Sequence, residues 1–151
     1  MPFAGIRESR AAVRAALQEV RARGDRRIGT EHLLIGVLQD PLLAKAFGRE
    51  PAEARELLEA LDREALGVIG LDAAGLPARP VALSRKRTPL TSGARAAFHR
   101  ANRHPECGAA ALLLALLSCQ APDPAAELTD RLGVDRAAVR RTLLADVGDP
   151  G

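Results

Sequence analysis

Aromatic side chains are nearly absent from this chain: there is no tryptophan, no tyrosine and only three phenylalanines, 2% of the sequence. Its 47% of hydrophobic residues must therefore build a core mostly from alanine, leucine and valine. Small, straight side chains of that kind favour closely packed helices over a β-sandwich. Cysteine is scarce too. Cys107 and Cys119 fall within or beside one apolar stretch, which suits reduced core residues better than a disulfide framework. Lysine is limited to Lys45 and Lys86, so the basic side is almost all arginine. No apolar run reaches the ~18 residues that suggest a transmembrane helix. The N-terminus has no continuous apolar region and carries Glu8 and Glu19, which argues against a secretory or organellar leader. A soluble, cytoplasmic protein without a membrane partner is the expectation.

Catalytic signatures are missing as well. The chain has no Gly-x-x-x-x-Gly-Lys-Ser/Thr loop to cradle an ATP phosphate chain, no paired-acid motif and no convincing triad. His104 and Cys107 supply at most one half of a zinc site, and with His99 and Cys119 they lack a second closely spaced pair. No enzyme, metal or cofactor is expected.

What is present is a chain of 151 residues, long enough for one domain with a real core. Its formal net charge is +3, from 22 basic and 19 acidic residues, and its pI is near 9.5. That charge is dispersed, and its densest cluster, Arg85-Lys86-Arg87, sits among proline and serine as in a solvated linker.

The apolar spacing predicts a helix from about Glu8 to Arg23, carrying Val13, Ala16, Leu17 and Val20 and stopped by Gly24. Thr30 is placed to cap the next helix, with Glu31 at its positive end and Leu33, Leu34, Val37 and Leu38 as its buried stripe. Asp40-Pro41 starts a short helix through Leu42, Leu43, Ala46 and Phe47, closed by Gly48. Pro51 opens a fourth, with Leu57, Leu58 and Leu61, extending to Ala65 or Leu66. Glycine and proline punctuate residues 67–89, which read as a connector. The pattern then restarts: a helix capped by Thr91, a second apolar helix to about Cys119, a third opened by Pro122-Asp123-Pro124 and a last one capped by Asp135. Leu143 and Leu144 are expected on the apolar face of that last helix. Ile28 to Leu38 has a worn copy at Cys107 to Leu117, so the expectation is an all-α domain of two pseudo-symmetric four-helix units.

Ile28-Gly29-Thr30-Glu31-His32-Leu33-Leu34-Ile35-Gly36 closely resembles the signature of the Clp repeat, which occurs twice in the N-terminal domain of ClpC- and ClpA-type AAA+ unfoldases. Leu90-Thr91-Ser92-Gly93-Ala94 resembles the opening of that family's second repeat, and Leu132-Gly133-Val134-Asp135 its closing turn. The resemblance spans nearly the whole chain. It implies one eight-helix domain: repeat one at about 3–66, a linker at about 67–89 and repeat two at about 90–147. It also implies a non-catalytic module that receives adaptors and substrate segments, here as a free-standing copy without ATPase modules. Its partners would be Clp unfoldase or protease components, adaptors, substrate peptides or cyclic peptide ligands. Such a copy could act as a decoy or as a docked modulator.

Two sets of residues carry the implied binding. In the family, a threonine and the glutamate of each repeat hold phosphoarginine. Here Glu31 is kept but Ile6 stands in the threonine's place, while Thr91 is kept but Ala110 replaces the second glutamate. Weak or absent phosphoarginine binding follows. The second set lines the groove between the first helices of the two repeats: Arg10, Leu90, Arg95 and Phe98, with Phe3 covering it. Glu31 has a second reading, as a helix-start acid worth roughly 0.3–1 kcal/mol against the helix dipole. His32 reads as a buttress of that helix start.

The competing reading is a DNA-binding helix-turn-helix over Ala126–Arg141, with a glycine turn and then Arg136, Arg140 and Arg141 for phosphates or bases. The family resemblance explains the same turn by packing, so nucleic acid is not the expected partner.

Overall fold

A computed structural model describes residues 2–68, 88–104 and 108–148, with residues 2–9 and 146–148 by backbone alone. Among these residues the chain is all-helical. The helices are α1 (Pro2–Arg23), α2 (Thr30–Val37), α3 (Pro41–Phe47), α4 (Pro51–Val68), α5 (Ser92–Ala101), α6 (Gly108–Leu117), α7 (Pro124–Arg131) and α8 (Arg136–Gly148). Cys107, Ile6's side chain, the Arg85-Lys86-Arg87 triplet and most of the connector lie outside the described residues.

The chain's most apolar segments are also its most buried. In α2, Leu33, Leu34, Ile35, Gly36 and Val37 are all buried, so the helix has no exposed stripe. Helix α6 is alike, with Leu112, Leu113, Leu116 and Leu117 all inside. Helices that are hydrophobic all round belong in the interior, and α2 and α6 pack on one another. The expected stripe on α2 is thus a helix buried all round except at Glu31. Helices α1 and α5 each pack against both of these central helices. Helix α4 packs on α2 as α8 packs on α6, and α3 meets α8 as α4 meets α7.

Close approach of α1 to α2 depends on Gly36. A Cβ there would stand 2.4 Å from the Ala12 carbonyl oxygen, a distance that real side chains do not occupy. Ala12 and Ala16, both buried, complete this small-residue seam. The two halves are also joined through backbone. The Ile28 amide donates to the Pro89 carbonyl at 3.0 Å, and the Thr91 amide donates to the Ile28 carbonyl at 3.0 Å.

Several helix starts follow local chemistry. The Asp40, Thr91, Asp123 and Asp135 side chains accept from backbone amides in the first turns of α3, α5, α7 and α8. Thr30 does not cap its own helix as its position suggested, because Gly29 holds that place and Thr30 is already helical. Its hydroxyl donates to Asp123 Oδ1 at 2.7 Å and accepts from the Ala125 amide at 3.2 Å. The threonine caps α7 instead, from the other half of the chain. Two further expectations shift. Helix α1 begins at Pro2 rather than near Glu8. Leu144 is 51% exposed, because α8 turns the neighbouring Leu143 inward instead; on α3, likewise, Leu43 is buried and Leu42 is 77% exposed.

Thr30 is 1% exposed, so its replacement by valine removes a buried hydroxyl that donates to Asp123 and accepts from the Ala125 amide, leaving Asp123 alone to hold the start of α7. Thr30→Val is expected to lower the unfolding free energy by about 1–3 kcal/mol in urea denaturation. A loss within error of zero would contradict the cap across the two halves.

A polar cavity beside the start of helix α2

The turn between α1 and α2 is short and fixed at both ends. Gly24, at φ 73°, ends α1, and the Asp25 amide donates back to the Val20 carbonyl at 3.0 Å. Ile28, at the other end, is held by its bonds to Pro89 and Thr91. Beside this turn lies a cavity of about 370 Å³, against α4. Asp25, Glu31 and Asp62 line it together with Arg23 and His32, and Leu58 supplies an apolar wall. Arg26 and Arg27 also line it and are exposed to solvent.

His32 is the centre of the polar network. Its side chain is 5% exposed, with Nε2 2.7 Å from Asp25 Oδ2 and Nδ1 3.0 Å from Glu31 Oε1. Nδ1 also lies 2.9 Å from the Gly29 amide nitrogen. The two neighbours of Nδ1 serve different protonation states. In the imidazolium, Nδ1–H donates to Glu31. In the neutral ring with its proton on Nε2, Nδ1 accepts from the Gly29 amide. Burial works against the charged ring, but the hydrogen bonds it donates to both carboxylates outweigh it and push His32 up to about 9. Asp25 responds in the opposite sense: burial raises it, yet its bonds to His32 and Arg23 hold it below the ordinary carboxylate value. Arg23 bridges Asp25 and Asp62, and these carboxylates hold its guanidinium charged despite burial.

Gly29 makes room for this arrangement. Its backbone is extended, which any residue adopts, but a Cβ would fall 1.8 Å from Glu31 Oε1. A side chain there would drive the Glu31 carboxylate away from His32.

Of the residues expected to bind, Glu31 lines this cavity. Leu90, half-buried, and Thr91, the cap of α5, reach the same junction through the bridge to Ile28. Arg10 is exposed on α1, about 20 Å along the helix from Arg23 at 1.5 Å per residue. Arg95 is exposed on α5, and Phe98 is half-buried against the core. Arg10, Leu90, Arg95 and Phe98 line neither this cavity nor a smaller one of about 250 Å³ between α1 and the end of α2. The Phe3 side chain lies outside the described residues. The sequence reading missed Asp25, Asp62, Arg26 and Arg27. The signal available was the dense charge of Arg23, Asp25, Arg26 and Arg27 in a turn between two helices.

The helix-turn-helix segment has the expected outline, with Gly133 at φ 69° between α7 and α8. Arg136, however, is engaged within the fold: Nη2 donates to the Ala126 carbonyl at 3.0 Å and lies 3.0 Å from Asp130. Arg140 and Arg141 remain exposed. Cys119 is buried, and burial pushes its thiol up, away from a reactive thiolate. Among the described residues no group of three or more His, Cys, Asp or Glu is placed to hold a metal ion. No helix among them is long and apolar enough to cross a membrane. No family model matches the chain, and no curated protein matches it.

The raised His32 gives a pH dependence of known sign. A group that binds its proton more tightly when folded stabilises the fold fully below its ordinary value of 6.5 and loses that contribution as pH rises through about 9. Unfolding free energy should therefore fall across this interval, by a few kcal/mol at most. His32→Gln should flatten the fall when both proteins are unfolded in urea at a series of pH values. An identical slope in both would contradict the Asp25–His32–Glu31 network.

Proposed function

We propose that the chain is a non-catalytic protein- and peptide-binding module of the Clp-repeat type, which receives adaptors or substrate segments in Clp-dependent proteolysis. The observation that carries this reading is the reciprocal packing around α2 and α6. Helix α1 stands to this pair as α5 does, α4 meets α2 as α8 meets α6, and the contact of α3 with α8 matches that of α7 with α4. Two four-helix repeats joined about a pseudo-twofold axis have such pairings. The Gly29-Thr30-Glu31-His32 segment, on which the family resemblance rests, sits at the start of one central helix and supplies ties to both halves.

In this reading, the exposed Arg10 of α1 and Arg95 of α5 come from equivalent first helices and flank the receiving surface, with Leu90 and Phe98 as its apolar part. Such a surface binds by side-chain complementarity and needs no reactive group. Its charged rim governs encounter and partner choice more than total affinity.

The reading is tested with the purified chain against the purified Clp unfoldase ring, adaptors and client peptides of its own host. Binding is expected to at least one of these. The double variant Arg10→Glu with Arg95→Glu should weaken it about tenfold or more, with the helical circular dichroism unchanged. Binding to none of the three classes would overturn the reading.

A further inference from the structure

The polar cavity beside α2 contains more cationic groups than its own fold uses. Arg23 is satisfied by Asp25 and Asp62, and His32 by Asp25 and Glu31. Each of the three carboxylates is thereby engaged. Arg26 and Arg27 line the same cavity, and neither forms a hydrogen bond or an ion pair with any described residue. They are not carried on a loose loop. The bonds of Asp25 to Val20 on one side, and of Ile28 to Pro89 and Thr91 on the other, fix the backbone that presents them. Consecutive arginines on a fixed turn place two guanidinium groups beside one another, each with a planar pair of N–H donors that matches a carboxylate.

We infer that this cavity is a recognition site for an acidic peptide segment, with a carboxylate held by Arg26 and Arg27 and an apolar neighbour seated against Leu58. The inference rests on the reading of the chain as a peptide-binding module but names a second surface, distinct from the one flanked by Arg10 and Arg95.

The rest of the lining selects the occupant. Asp25, Glu31 and Asp62 repel a ligand that carries several closely spaced negative charges, such as a nucleic-acid backbone, while a single side-chain carboxylate approaches only the arginine rim. A volume of about 370 Å³ accommodates a side chain and its neighbour rather than an extended strand. Leu58 offers an apolar contact that free inorganic anions cannot use.

The test is an NMR titration of the whole ¹⁵N-labelled chain with the blocked peptide Gly-Gly-Leu-Glu-Leu-Gly and with its counterpart bearing glutamine for glutamate. The acidic peptide should bind at least about tenfold more tightly, with shifts centred on the amides of Gly24 to Glu31. The exposed changes Arg26→Gln and Arg27→Gln together should abolish that preference, and Arg10→Glu with Arg95→Glu should leave it intact. Equal binding of the two peptides, or a preference unaffected by the Arg26→Gln and Arg27→Gln pair, would overturn the inference. So would inorganic phosphate binding as tightly as the acidic peptide, or duplex DNA binding more tightly at this turn. Because none of these arms uses a Clp component, failure here and failure of the module reading are separable.

Discussion

Helices α2 and α6 have no face for water, and much of the fold follows from burying both. A helix leaves its first amides and last carbonyls unpaired within itself. In a surface helix, water meets that need. Here the partners come from the protein. At the start of α2 the His32 ring, which stands over the Gly29 amide and accepts from it when neutral, is held by Asp25 and Glu31, and the Thr30 hydroxyl donates to Asp123 at the start of α7. At the end of α6 the Ser118 hydroxyl donates to the Ala115 carbonyl at 2.7 Å, and the Cys119 amide donates to the Leu116 carbonyl. Burial of apolar surface drives α2 and α6 together, and the polar ends fix which neighbours they accept.

The same constraint divides the polar residues into two kinds. Asp25, Glu31 and Asp62 are committed to Arg23 and His32, and removing one member would leave a charge uncompensated in a partly buried place. Arg26 and Arg27 are left over from that pairing. Glu31, which the family resemblance marks as a ligand acid, has its Oε1 within reach of His32 and lies close beside Gly29. Its structural role and its place on the cavity wall are two aspects of one position. Two of the cavity's polar walls, Glu31 and His32, belong to the first turn of α2 itself.

Much of the architecture was legible in the sequence, and the reason is local. Asp40, Thr91, Asp123 and Asp135 each cap a helix that starts within the next residues, so a short window contains both partners. Thr30 looked identical by that standard, yet its partners lie 93 and 95 positions away. The cap position falls to Gly29, where a side chain would meet the Glu31 carboxylate, and the Thr30 hydroxyl is freed for partners that no local window contains. Leu144 misled for a related reason. On a short helix, adjacent leucines are equivalent until a neighbour decides which one it covers, and here Leu43 and Leu143 were covered. Within the site, Glu31 was readable from its motif. Asp25 and Asp62 were not, because they meet only through Arg23, with Asp62 brought from a different helix.

If α2 and α6 form one buried unit tied across the halves, they cannot open separately. Amide hydrogen exchange under native conditions measures this directly. The amides of Leu34 to Val37 and of Leu112 to Leu116 should exchange only by global unfolding, with one shared opening free energy equal to that from urea denaturation. Exchange of the α2 amides through a distinctly cheaper opening, while those of α6 remain protected, would contradict it.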